Sequence, residues 1–315
     1  MFISASRNNN SISTFIVFII FLGANIGLIF WEASKGLSNE ESLPLIKIII
    51  SSLSISLITF FVTFFLQKLK FIGIGDGIVG VVFLTFMLGF KDSYLYFKEL
   101  FALFIILVVN ARLISLHNKS KNFLQEFEIG CLLGLAIIIC PSLIVFGIMF
   151  LIGLALVVSF TWRDFVIPLM GVFWVFLLKV AYLFWVDSLT LENIIQIDIS
   201  YPEFTLELSM SKILIIFVSI FEFGILLKLF RVIENRSIKE RVNYWIWIWT
   251  AFLLFISLLF FQKEFSKLML IQFIGLPCSV FSIEYFKFKK HKKSVWKTEL
   301  LFLCFLITQV ALRIL

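Results

Sequence analysis

The feature that most constrains this chain is a succession of long apolar runs that recur from Thr14 to Leu315. Of its 315 residues, 61% are hydrophobic and only 15% are charged, whereas soluble domains carry about 25% charged residues. A soluble protein covers one core with polar side chains, and this chain has too few of them to do so. The pattern therefore predicts an all-α, polytopic transmembrane helical bundle, with a single integral membrane domain over 1–315.

The apolar runs divide into eleven candidate membrane spans. They cover approximately 14–31, 45–66, 72–90, 99–116, 127–140, 142–160, 165–184, 212–230, 244–261, 268–286 and 299–315. The run over 127–160 is too long for one span, so we divide it at Pro141, where the proline interrupts helical hydrogen bonding. A single kinked helix is the alternative. The first run has no small-x-small cleavage pattern after it, which predicts an uncleaved first helix.

The positions of the basic residues predict the orientation. With the N-terminus in the cytoplasm, the cytoplasmic side receives 18 of the 27 Lys and Arg residues, the opposite side 8, and Lys179 lies inside a span. This satisfies the positive-inside rule, with the C-terminus outside. Treating 127–160 as one span would place the strongly basic segment 287–297 outside. The 41 Phe residues favour an AT-rich bacterial genome, so we expect a multi-pass protein of the bacterial cytoplasmic (inner) membrane.

Three ionisable residues are the candidate catalytic residues. Lys179 and Glu222 lie within neighbouring spans, where a charge costs a few kcal/mol. They suggest a substrate or proton site in which the lysine reaches the carboxylate. The alternative is a lysine that extends to the interface and a glutamate with a structural role. Glu32 is expected in the first extracytoplasmic loop, as a general base or metal ligand near a lipid phosphate, or as a solvated charge.

Several kinds of site are excluded by the residues that are missing. The four cysteines form no CxxC, and the two histidines lie in basic loops, so neither zinc nor haem is expected and we predict no cofactor or metal. The chain contains no GxSxG, HExxH or Walker motif. The acidic loop over 185–211 is too short for a domain, and it can form either a hairpin or an interfacial helix.

Basic residues mixed with aromatic residues mark the predicted cytoplasmic edge of the membrane. Membrane lipids are their default partners, because such segments bind anionic headgroups. A phosphate-bearing ligand or a protein partner is the alternative, and nucleic acid is excluded because the cations are few and tied to the bilayer. The predicted interface or partner-binding residues are Trp162, Arg163, Arg231, Arg236, Lys239, Arg241, Lys289, Lys290, Lys292 and Lys293.

A tight turn and three buried amides complete the local predictions. Asp164 is expected to cap a helix that begins at Phe165. Asn25, Asn110 and Gln272 lie inside spans, where such side chains usually form hydrogen bonds between helices.

The middle of the chain resembles a known family. The segment FEIGCLLGLAIIICPSLIVFGIMFLIGLALVVSF, followed by Thr161-Trp162-Arg163-Asp164, resembles an uncharacterised family of multispanning inner-membrane proteins from Bacteroidota, over roughly 99–250. This likeness implies a class of protein and no reaction. Residues 127–184 and the position of Glu32 are also similar to polytopic glycosyltransferases that use polyprenyl-phosphate sugars. The short first loop, the missing aspartate pair and the lack of a large extracytoplasmic domain depart from that pattern.

Three functions follow as expectations. The first is a role in envelope biogenesis, in which the protein handles a lipid-linked sugar or lipid substrate as a divergent glycosyltransferase-like enzyme or a non-catalytic relative. The second is a membrane scaffold or accessory subunit that docks a cytoplasmic partner. The third is a small-solute transporter that uses Lys179 and Glu222.

Overall fold

The computed structural model describes residues 11–36, 45–65, 78–90, 93–116, 123–157, 162–188, 190, 210–260, 274–282 and 292–314. Within these ranges the chain forms 11 α-helices and no strand, which confirms the all-α prediction. The helices are α1 (Ser11–Gly36), α2 (Leu45–Phe60), α3 (Ile78–Leu88), α4 (Phe97–Leu116), α5 (Phe123–Ile139), α6 (Phe146–Val157), α7 (Trp162–Trp185), α8 (Met210–Ile233), α9 (Ile238–Phe260), α10 (274–282) and α11 (Lys292–Ile314).

Short segments of other helical types adjoin three of these helices. A π-helical turn at Phe61–Phe65 extends α2, and 3₁₀ turns at Ser93–Tyr96 and Pro141–Val145 precede α4 and α6.

Three of the described helical segments are long and apolar enough to cross a membrane. They are Ile46–Thr63, Phe97–Leu116 and Trp162–Trp185, with mean hydropathies of 2.0, 2.1 and 2.1. Shorter apolar segments occur at Ile16–Glu32, Val79–Leu88 and Ile216–Leu227. The described fold is therefore that of a helical protein with the composition of a membrane protein.

The predicted break at Pro141 is confirmed. Helix α5 ends at Ile139, and Cys140 has an extended backbone (φ −136°, ψ 95°). Pro141 then begins the 3₁₀ turn that leads into α6, a position where a missing backbone N–H costs no helical hydrogen bond. The long apolar run therefore forms two helices instead of one kinked helix.

The chain divides into two compact units. The first consists of Met1–Phe97, Phe204–Arg236 and Lys267–Leu315, and the second consists of Lys98–Glu203 and Ser237–Ser266. The first unit contains α1, α2, α3, α8, α10 and α11, whereas the second contains α5, α6, α7, α9 and nearly all of α4.

In the second unit, α5 and α7 approach each other through glycines. A Cβ atom on Gly171 of α7 would lie 2.5 Å from the carbonyl oxygen of Phe127 and 2.9 Å from the backbone nitrogen of Cys131. On α5, a Cβ on Gly130 would clash with the carbonyl of Pro168, and one on Gly134 would lie 3.1 Å from Cβ of Val175. Small residues allow this close backbone approach between membrane helices.

These contacts also fix the relative direction of the two helices. Gly130 meets Pro168, and Gly134, one turn further on, meets Val175. Because the contacts advance together along both chains, α5 and α7 run parallel. The segment between them must therefore return in the opposite direction, and it contains α6.

Helix α7 buries only one narrow face. Its buried positions are Asp164, Pro168, Gly171 and Val175, which are spaced three or four residues apart. The remaining faces carry exposed apolar side chains, such as Trp174. The helix begins at Trp162, so Asp164 lies inside the first turn and faces the interior, and the prediction that it caps a helix starting at Phe165 is wrong. A carboxylate in the first turn interacts favourably with the helix dipole.

Two of the predicted buried amides form the expected hydrogen bonds between helices. Asn25 Nδ2 of α1 donates to the carbonyl oxygen of Leu84 in α3 at 3.1 Å. Asn110 Nδ2 of α4 donates to Oγ1 of Thr250 in α9 at 2.9 Å. Gln272 lies outside the described residues, as do residues 191–209 of the acidic loop.

Adding one methyl group to the seam between α5 and α7 should destabilise the protein. Because Gly171→Ala places Cβ against backbone atoms that cannot rotate away, we expect a loss of about 1–3 kcal/mol. Gly27→Ala, in the middle of α1, is the matched control: no atom lies within 4 Å of the added Cβ, and we expect a gain of about 0.5–1 kcal/mol. Thermal unfolding in detergent would measure both, and equal melting temperatures would contradict the close approach.

Candidate functional site

The candidate site is built around α3, the helix enclosed at the centre of the first unit. All of its described residues from Val79 to Leu88 are buried, and α1, α2 and α11 pack around it. Its sequence, IVGVVFLTFML, contains one polar side chain, Thr85. The last carbonyl groups of a helix lack intrahelical partners. The C-terminal end of α3 therefore offers buried acceptors to neighbouring side chains.

Helices α1 and α11 turn polar side chains towards this interior. Asn25 and Glu32 are seven residues apart on α1, and Gln309 and Arg313 are four apart on α11, so each pair shares a helix face. All four are buried: the exposed fractions are 1% for Asn25, 8% for Glu32, 0% for Gln309 and 9% for Arg313. The first unit therefore contains a polar interior next to the enclosed helix.

Arg313 joins three helices at this point. Its Nε donates a hydrogen bond to Oε1 of Glu32 at 2.8 Å, and its Nη1 donates to the carbonyl oxygen of Leu88 at 3.0 Å. The two charged side chains are 8% and 7% exposed, so the ion pair is shielded from solvent. Nη2 of Arg313 is also buried, and it has no hydrogen-bond partner among the described residues.

These contacts correct one prediction. Helix α1 continues to Gly36, so Glu32 lies within the helix and faces the interior instead of standing in the loop after the first span. Arg313 is one of the eight basic residues that the charge count assigns to the extracytoplasmic side, and it is buried. One carboxylate oxygen of Glu32 is engaged by the guanidinium of Arg313 at 2.8 Å.

A metal site is not assembled around Glu32 in the part of the chain that the structure describes. No group of three or more His, Cys, Asp and Glu side chains that could hold a metal comes together there. The neighbouring pair Glu40 and Glu41 lies outside the described residues.

Glu222 lies in the same unit, on the buried face of α8. It is 6% exposed, and Val218 and Ile225 on the same face are buried as well. The preceding residue, Phe221, stacks on Phe305 of α11 with ring centroids 4.6 Å apart. The Glu222 carboxylate is also close enough to Cys278 of α10 to interact with it electrostatically.

Lys179 belongs to the second unit, where it is partly buried on α7. Glu222 belongs to the first unit, so the structure describes the two residues separately, and their pairing stays a prediction.

The predicted interface residues are found mainly at helix ends. Trp162 is 70% exposed, and the guanidinium carbon of Arg163 lies 5.7 Å from the centre of its ring. Arg236 lies in the turn between α8 and α9, and Arg241 is exposed in the first turns of α9. Of the others, Arg231 lies in α8, Lys239 in α9, and Lys292 and Lys293 in α11, whereas Lys289 and Lys290 lie outside the described residues.

Sequence reasoning missed Arg313 as a site residue. The available signal was a guanidinium only two residues from the end of the last apolar run, a position that we assigned to the membrane surface. Comparison of the chain with protein-family models, with curated proteins and with solved structures finds no match in any of the three.

Removing one partner of the buried ion pair should cost more stability than removing both. Arg313→Met leaves the Glu32 carboxylate without its cation, and we expect a loss of about 3–5 kcal/mol. The double variant Glu32→Leu with Arg313→Met removes both charges and should recover part of that loss. Thermal unfolding of the wild type, both single variants and the double variant gives the coupling free energy. Strictly additive losses would show that the two residues do not interact.

Proposed function

We propose that this protein is a multi-pass protein of the bacterial cytoplasmic membrane that binds the phosphodiester group of a polyprenyl-phosphate-linked sugar at Arg313, in envelope biogenesis. The observation that carries the proposal is the buried guanidinium of Arg313, which is held by Glu32 and Leu88 and keeps one donor, Nη2, without a partner among the described residues. A fixed, planar guanidinium fork suits phosphate oxygens.

The proposed topology has eleven crossings, with the N-terminus in the cytoplasm. The contacts at Arg313 support it, because they bring together the C-terminal ends of α1, α3 and α11. The distribution of Lys and Arg assigns these three ends to the extracytoplasmic side. The parallel course of α5 and α7 supports the reversal of the chain after Pro141. A site at the outer edge of the bundle suits a ligand with its headgroup at the interface and its tail in lipid.

The residues of the site have different roles in this proposal. Arg313 binds the anion, while Glu32 and the Leu88 carbonyl are positioning groups that hold the guanidinium in place. Burial strengthens the hydrogen bond from Nη2, because hydrogen bonds are electrostatically stronger where water is excluded. The proposal assigns binding and no catalytic step, since the nearest carboxylate is already engaged with Arg313.

Binding of a short-chain prenyl phosphodiester should depend on Arg313 and increase when Glu32 loses its charge. Arg313→Lys keeps the charge but loses the fork, and a charged hydrogen bond contributes about 1.5–3 kcal/mol, so we expect roughly tenfold weaker binding or worse. Glu32→Gln keeps an oxygen acceptor and removes a negative charge near the ligand, so it should bind more tightly. Titration calorimetry in phosphatidylcholine nanodiscs would measure the dissociation constants.

Two further ligands identify the source of the phosphate group. Inorganic phosphate and phosphatidylglycerol carry the same chemistry without the prenyl chain, and both should bind more weakly than the prenyl phosphodiester. Equal binding of phosphatidylglycerol would overturn the assignment to polyprenyl carriers. Unchanged binding by the Arg313→Lys variant would show that the ion pair is only structural, and the scaffold hypothesis would then gain weight.

The proposed orientation can be tested with two engineered cysteines, because the described native cysteines lie within helices or at the Cys140 break. Ser188→Cys follows α7 on the predicted outer side, and Ser237→Cys precedes α9 on the predicted inner side. A membrane-impermeant maleimide should label the first variant in intact cells and the second only after permeabilisation. The wild type provides the background, and the reverse pattern would invert the topology.

A further inference from the structure

Glu222 lies on the buried face of α8 in the first unit. Of the helices that pack around it, α11 presents Phe302, Phe305, Gln309 and Arg313 on its buried face, and α10 presents the thiol of Cys278. Helix α3, which contacts α11 through Phe86 and Phe305, contains no titratable side chain. Oε1 of Glu222 is buried and accepts no hydrogen bond from any described residue.

Among the first-unit side chains whose burial the structure describes, there are two buried carboxylates and one buried cation. Glu32, Glu222 and Arg313 are the buried acidic and basic residues of the first unit within the described chain. Arg313 forms its ion pair with Glu32 at 2.8 Å, so its charge is already compensated. An ionised carboxylate at Glu222 would therefore be a buried charge with no cation left for it among these side chains, which is costly at membrane depth.

A proton fits this position better than a metal ion. A metal ion needs several ligands, and the described residues bring together no group of three or more His, Cys, Asp and Glu side chains. A proton needs only one carboxylate oxygen, and Oε1 of Glu222 has no partner among the described residues.

One buried polar side chain, Gln309, lies on α11 between Arg313 and the level of Glu222. Gln309 lies one turn before Arg313 on the same face of α11, and Phe305, which stacks on the neighbour of Glu222, lies one turn further. At 1.5 Å per residue, the level of Phe305 is about 12 Å along the helix from Arg313. Buried polar and ionisable residues arranged in this way are typical of proton pathways in membrane proteins.

We propose that Glu222 is a proton-binding site in the interior of the first unit, and that its proton exchanges with the aqueous phase at the Arg313 end. The step is the reversible addition of a proton from water to the carboxylate, with no oxidation or reduction. This proton site is a second binding site in the protein. The proposal for it does not rest on the proposed binding of a phosphodiester at Arg313.

Infrared difference spectroscopy of the protein in nanodiscs tests this directly. Exposed carboxyl groups titrate near pH 4, so spectra recorded between about pH 6 and pH 10 exclude them. The wild type should show a carboxylic acid C=O band in this range, and the band should shift in D₂O because the proton exchanges with water. Glu222→Gln, which preserves the shape of the side chain, should lose that band. Glu222→Asp should keep a carboxylic acid band at a shifted frequency. This shift identifies the band even if the Glu222→Gln variant does not fold.

Two controls separate this site from other carboxylates. Glu234→Gln changes an exposed carboxylate in the turn after α8, and Glu32→Gln changes the partner of Arg313. Both should retain the wild-type band. A wild type without the band, or a Glu222→Gln variant that keeps it, would overturn the proposal. The infrared experiment contains no prenyl phosphodiester. A negative result would therefore not contradict the phosphodiester proposal, and failure to bind phosphodiester would not contradict the proton-site proposal.

Discussion

The guanidinium of Arg313 is the one group on which the first unit depends. It links the ends of three helices, through Glu32 in α1 and the carbonyl oxygen of Leu88 in α3. The ion pair is shielded from solvent, and a buried charge that loses its partner costs about 3–5 kcal/mol. The three helix ends therefore cannot separate without exposing charges. Within the described part of the chain, Nη2 of the same guanidinium has no hydrogen-bond partner.

The second unit is held together by a different principle. The seam between α5 and α7 contains glycine and proline, so backbone atoms come into contact and dispersion forces act over a short distance. Such a seam needs only a narrow face of each helix. The other faces of α7 remain apolar and exposed, which is suitable for contact with lipid chains. Close backbone packing thus orders this seam, and Asp164 of α7 is buried one turn before Pro168 on the same face.

The parts of the fold that the sequence predicted are those that depend on local signals. Apolar runs predicted where the helices lie, with bounds that differ by up to seven residues, and Pro141 predicted the break because proline acts on its own helix. The ion pair of Glu32 and Arg313 joins residues 281 positions apart. Lipid-facing and buried side chains of a membrane helix are both apolar, so hydrophobicity alone does not indicate which faces meet. Glu32 and Asp164 were misassigned because each stands at the edge of an apolar run and therefore looked like the residue at a helix end.

The charges of the first unit can be understood as one system. Because Glu32 neutralises Arg313, an anion bound as proposed would be held by hydrogen bonds from Nη2, which has no partner among the described residues, and not by a net positive charge. A bound phosphodiester would then bring a net negative charge into this interior, and an ionised Glu222 would add a second one. Two like charges in a medium of low polarity repel each other strongly. A proton on Glu222 would remove that repulsion, so the two proposals are compatible with each other.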